Sequence, residues 1–121
     1  MTDSTREQTL RAVDLYIDAV RRNDSSALPL HPQVVAEFPT NTYRGIESFR
    51  NGLDHFARIM KGITVNRLIA DGEHCVALVT IDTIFGSIPF AEHIHVLNGQ
   101  IISIRGYCDP RPMLQGATLP A

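Results

Sequence analysis

The stretch IPFAEHIHVLNGQIISIRGYCDP, residues 88–110, decides the fold. Two runs of alternating apolar and polar residues, 89–97 and 101–108, flank Asn98-Gly99, a strong signal for a tight antiparallel hairpin. Successive side chains of a strand point to opposite faces, so Glu92 shares a face with Phe90 and Ile94, while His93 and His95 share the other. The turn leaves the partner of Glu92 open. A two-residue type I′ turn sets Leu97 opposite Gln100 and Glu92 opposite Arg105, an ordinary cross-strand ion pair. A three-residue loop with a glycine bulge sets Glu92 opposite Ile104, on an apolar wall with Phe90, Ile94, Ile102 and Cys108. In that setting burial would raise the pKa of the carboxyl and let it donate or shuttle a proton.

The same period of two extends upstream. Residues 65–70 and 73–85 read as strands, separated by the turn signals Asp71-Gly72 and Gly86-Ser87. Asp82 lies nearly opposite Glu92 across the Gly86-Ser87 turn. A three-residue loop there would bring both carboxylates to one face, where one must hold a proton; a two-residue turn would separate them. His93 and His95 form an H-x-H pair on one strand face, but a metal centre needs a third ligand and none is local. A solvated or partner-facing outer surface is the expectation for them, with no metal.

Before residue 63 the period is helical. Ser4-Thr5-Arg6-Glu7 matches a capping box, and Leu10, Val13, Ile17 and Val20 form the stripe of an amphipathic helix. Asn23-Asp24-Ser25-Ser26 stops that helix and can cap a short second one before Pro29 and Pro32. Residues 34–38 are briefly extended. A further helix carries the stripe Ile46, Phe49, Leu53, Phe56 and Met60. Three N-terminal helices followed by an antiparallel meander predict an α+β fold, a curved cone-shaped sheet with the helices packed on its concave face. The 121 residues suit a single domain with its core in 4–112 and a loose tail from 113.

Composition narrows the function classes. A net charge of −2 lacks the basic footprint of a nucleic-acid binder, and no apolar run approaches the length that spans a bilayer. The polar, acid-containing N-terminus is not a secretory signal, so a cytoplasmic protein is expected. Cys75 and Cys108 are too few and too far apart for a zinc motif or a disulfide framework, and read as small buried thiols.

The segments YIDAVRRND (16–24), YRGIESFRNGL (43–53) and NGQIISIRGYCDP (98–110), in this order of elements, resemble the nuclear transport factor 2-like superfamily. That superfamily includes ketosteroid isomerases, limonene epoxide hydrolases and SnoaL-type polyketide cyclases. The resemblance implies a cone opening into an apolar cavity and a homodimer formed through the outer sheet face. It also favours the register that turns Glu92 into the cavity. Tyr16 falls where the isomerases keep their oxyanion-hole tyrosine, and Glu92 where they keep a protonated aspartic acid. Phe38 stands where they keep the proton-shuttling aspartate, and Leu53 where a supporting tyrosine sits. Against the epoxide hydrolases, Asp82 matches an acid, but Gly106 replaces the water-activating aspartate and Thr80 an arginine.

The expected site is therefore Tyr16, Glu92 and Asp82 as the chemical groups, in a pocket of Phe38, Phe49, Leu53, Phe56, Phe90, Ile94, Ile104 and Cys108. The expected ligand is a small lipophilic molecule. Cofactor-independent isomerisation or cyclisation of a carbonyl compound is the leading activity, with Asp82, His55 or the substrate supplying the base. A non-catalytic carrier with the same cavity is one alternative. A dimeric interaction module is another.

Overall fold

Ser4 begins the first helix, α1 (Thr5–Arg22), by accepting a hydrogen bond from the Glu7 amide at 3.1 Å. Asn23 ends it in the left-handed conformation, φ 53°. The computed structural model describes residues 4–118, with side chains through Leu114. After α1 come β1 (Leu30–Glu37), β2 (Thr42–Arg44), α2 (Ile46–Ala57), β3 (Met60–Asp71), β4 (His74–Thr83), β5 (Gly86–Leu97), β6 (Gln100–Tyr107) and α3 (Arg111–Thr118). None of the described helices is long and apolar enough to cross a membrane.

The six strands form one curved, unclosed sheet in the order β2-β1-β6-β5-β4-β3. The meander from β3 to β6 is antiparallel, as its turn signals require. The sheet as a whole is mixed, however, because β1 runs parallel to β6. Register shifts interrupt the β1–β6, β3–β4 and β5–β6 ladders. Such irregularities bend and twist a strand locally.

Helix α1 lies across β3, β4 and β5, and α2 across β1, β2 and β3. The face of α1 turned to the sheet carries Ala12, Val13, Tyr16 and Ile17, all buried. The stripe expected at Leu10, Val13, Ile17 and Val20 is thus rotated slightly, and Tyr16 stands near its centre. The core continues through Phe49 of α2 and the inward residues Val79, Ile81, Ile94, Val96, Ile101 and Ile104 of the sheet. Burying each large aliphatic side chain contributes about 1.5–3 kcal/mol before entropy is counted.

The described residues hold three helices, but these are not all N-terminal. No helix lies between Asn23 and β1: Asp24 Oδ1 accepts from the Ser26 amide at 3.0 Å in a local turn, and the chain enters β1 at Leu30. The third helix lies instead in the segment expected to be a loose tail. Asp109 Oδ1 accepts from the Arg111 amide at 3.0 Å and its carboxylate grips the Arg111 side chain, while the Leu114 amide closes the first turn on Pro110. Proline at the start of a helix sacrifices no bond that the helix would have made. The end of the expected tail, 119–121, lies outside the described residues.

Candidate functional site

The β5–β6 hairpin settles the partner of Glu92, and by a third route. Asn98-Gly99 is a two-residue turn, with φ 51° and 80° and Leu97 opposite Gln100. This is the geometry of type I′, in which both central residues take positive φ. A bulge then follows at once: Val96 faces Ile101, but His95 faces Ser103, leaving Ile102 as the extra residue. The shift carries Glu92 past Arg105 to stand opposite Gly106. Glu92 is therefore on the inner face, where the bulged-loop register would also turn it, but two residues along. Arg105 points outward and pairs with Glu37 of β1 at 3.0 Å.

Room for the carboxyl comes from its neighbours. Across β4 it faces Ala77, and across β6 it faces Gly106, two of the smallest residues available. Tyr16 descends from α1 into that space, and its hydroxyl donates to Glu92 Oε1 at 2.6 Å. Each of the two residues is only 4% exposed. Burial pushes the Glu92 pKa up, and the bond from Tyr16 partly opposes that rise. Burial and the neighbouring carboxyl hold the Tyr16 pKa well above its ordinary value, so the phenol stays protonated and donates. Among the described residues Tyr16 is the sole partner of the Glu92 side chain, which leaves Oε2 to the contents of the cavity.

The pair lines a cavity of about 250 Å³ between the helices and the sheet. Tyr16, Phe38, Tyr43, Phe49, Phe56 and Phe90, six of the eight phenylalanines and tyrosines, form its wall together with Leu53 and Cys108. Phe49 stacks on Tyr16 with ring centres 6.2 Å apart, and Phe56 meets Phe90 edge-on at 6.3 Å. Two glycines make the remaining wall. A Cβ on Gly106 would run into the Phe38 ring, and one on Gly52 would lie 2.7 Å from the Tyr43 ring. Thr40, Asn41 and His55 add polar groups to the lining. Among the described residues no lysine or arginine lines it, and burial, Asp109 and Glu92 push the Cys108 thiol pKa up. Such a lining offers no lysine or arginine charge to an anionic ligand. Among the described residues no three His, Cys, Asp or Glu side chains are arranged around a common metal position.

Of the residues expected from sequence, Tyr16, Glu92, Phe38, Phe49, Leu53, Phe56, Phe90 and Cys108 come together here, with His55. Ile94 and Ile104 do not. They face each other across β5 and β6, 0% and 1% exposed, as solid core beside the cavity. Asp82 does not either. The β4–β5 turn is Ile84-Phe85 rather than Gly86-Ser87, held by the Thr83 hydroxyl, which donates to the Gly86 carbonyl and accepts from the Phe85 amide. The loop has two residues, so Asp82 falls on the opposite face from Glu92, exposed and accepting from the Ser87 hydroxyl at 2.5 Å. No carboxylate dyad forms.

Gly52, Tyr43, Asn41 and Met113 belong to the cavity but went unread in the sequence. The helical period of α2 carries no signal for a glycine, Gly52, whose missing side chain is filled by the Tyr43 ring of another element.

The model of the SnoaL-like domain family matches residues 13–104. No curated protein matches. Among solved structures, a protein of Kribbella flavida is 25% identical with a TM-score of 0.83, covering 90% of this chain and 93% of its own. A provisionally named SnoaL-like polyketide cyclase of Jannaschia is 14% identical with a TM-score of 0.79, covering 100% of this chain and 99% of its own. A steroid delta-isomerase of Pseudomonas aeruginosa is 21% identical with a TM-score of 0.75, covering 89% and 84% respectively. The last two likenesses concern the fold alone.

Proposed function

The chain belongs to the SnoaL-like domain family, and from that premise we propose that it takes a small, uncharged, lipophilic carbonyl compound into its cavity and moves a proton on it without a cofactor. Isomerisation or cyclisation is the reaction class. The observation that carries this reading is the buried hydrogen bond, 2.6 Å, from Tyr16 to a carboxyl whose pKa is raised and whose second oxygen is left to the cavity. Tyr16 holds Oε1, so in the protonated form of Glu92 the proton sits on Oε2, the oxygen left to a ligand in the cavity. As a base removes a proton beside the carbonyl, charge grows on its oxygen. A donor already aimed at it, backed by Tyr16 in an apolar, aromatic-lined site, stabilises the enolate. Asp82 lies outside the cavity, so of the bases drawn from sequence there remain His55, which lines it, and a group of the substrate itself.

The test is deuterium uptake from D₂O into a bicyclic ketone such as 2-tetralone. Wild type is expected to accelerate exchange, and Glu92→Gln to lose about 10²–10³-fold of that acceleration while still binding the ketone. His55→Ala is expected to slow exchange as well. Binding without exchange, insensitive to Glu92→Gln and dependent on cavity volume, would favour the carrier reading instead. That reading has its own support, since neither Phe38 nor Gly106 can act as a base. A homodimer through the outer sheet face, where Tyr107 and Ile69 are 54% and 51% exposed, predicts twice the chain mass by light scattering.

A further inference from the structure

On the sheet face opposite the cavity, three histidines that are scattered in sequence meet. His93 and His95 alternate on β5, and His74 of β4 is the direct cross-strand partner of His95 and diagonal to His93. The His74 and His95 rings stack with centres 4.4 Å apart, and the His74 and His93 rings lie 5.1 Å apart. His74 Nδ1 and His93 Nε2 share a hydrogen bond at 3.0 Å. A carboxylate completes the group, since Glu73 Oε1 lies 3.0 Å from His95 Nε2. The H-x-H pair lacked a third imidazole in the sequence, and the hairpin supplies it.

We propose that His74, His93 and His95 form a surface site for one divalent, late first-row transition ion, zinc or nickel in kind, with Glu73 as the carboxylate beside it. Two residues in alternation on one strand and a third across the ladder make a triangle of imidazoles on one face. Nitrogens bound to one tetrahedral zinc ion at about 2.0–2.1 Å lie about 3.3 Å apart. The two nitrogens of His74 and His93, 3.0 Å apart, already stand near that separation, and a turn of both rings that aims their lone pairs to one side of the N–N line would admit an ion in place of the shared proton. In the conformation described the third nitrogen is turned toward Glu73, and no three donors yet converge. Completing the set takes rotation of the His95 side chain, which is 30% exposed and not locked in the core. Glu73 then either orients the His95 ring from behind or binds the ion itself.

Neutral imidazoles are the binding form. The charge of Arg105 is taken up by Glu37, so it does not compete for the Glu73 carboxylate. The site is independent of the cavity and of any turnover there. Its consequence is a clamp joining β4 to β5.

The experiment uses the full chain without a polyhistidine tag, titrated with Zn²⁺ and Ni²⁺ by calorimetry and by thermal unfolding. One ion per chain at micromolar affinity is expected, with Mg²⁺ inert. His74→Ala and His93→Ala should each weaken binding by about tenfold or more, a loss of the size that metal-site substitutions produce. Both side chains are exposed, so the variants keep their core, which circular dichroism verifies. Affinity should also fall at least about tenfold between about pH 7.5 and about pH 5.5, because a metal competes with protons for its ligands. No binding at millimolar Zn²⁺, affinity unchanged in His74→Ala, or one ion per two chains would each overturn the site.

Discussion

Glu92 holds its proton more tightly in the folded chain than in the unfolded one, because burial penalises the carboxylate more than the bond from Tyr16 favours it. The sign of the linkage follows. Between the ordinary glutamate value and the raised one, the folded state binds the extra proton, so stability is complete below that window and falls as pH rises through it. Glu92→Gln keeps the shape of the side chain and the acceptor for Tyr16, and it never ionises. In urea unfolding, wild type should lose stability relative to Glu92→Gln as pH rises, by about 1.4 kcal/mol for each unit of upward shift. A difference between the two that stays flat with pH would mean that the carboxyl is not shifted. Cys108 shares the same environment, and its raised pKa makes it an inert wall rather than a nucleophile.

At the scale of elements, a single bulge decides which side chain Glu92 meets. The turn before it was legible, because Asn-Gly takes positive φ at both positions and little else does so cheaply. The bulge was not, since no glycine or proline marks Ile102. Its trace is a break of phase: Ile101 and Ile104 are both buried although they are three residues apart, which strict alternation forbids. A similar loss of signal hid the β4–β5 turn, where Ile84-Phe85 lack turn chemistry and the Thr83 hydroxyl provides it. The third helix had a readable start, Asp109 followed by Pro110 and Pro112, but its flanking prolines argued for a loose tail. The meander, α1 and α2 were legible from period alone. Contacts between elements far apart in sequence, such as Phe38 on Gly106, were not. That contact predicts that Gly106→Ala overpacks the Phe38 ring and costs about 1–3 kcal/mol. Urea unfolding measures it, and wild-type stability in that variant would mean that the ring moves aside freely.

At the scale of the whole molecule, one sheet presents two surfaces of different chemistry. The inner face is apolar and aromatic around the buried Tyr16–Glu92 pair, while the outer face carries His74, His93, His95 and the Arg105–Glu37 ion pair. Such an exposed pair contributes about 0–1 kcal/mol, so the fold rests on the inner face. The cavity, about 250 Å³, lies at the small end of ligand pockets, which favours compact ligands over extended ones. The central claim is that this cavity recognises one oxygen of a lipophilic molecule through Glu92 and Tyr16. It is tested most directly by comparing 2-naphthol with naphthalene, which differ only in a hydroxyl, by calorimetry on wild type and Glu92→Leu. The account predicts that wild type prefers the naphthol by about tenfold, or about 1.4 kcal/mol, and that Glu92→Leu loses this preference while still binding both. Equal affinity of wild type for the two molecules, or a preference that survives in Glu92→Leu, would contradict it.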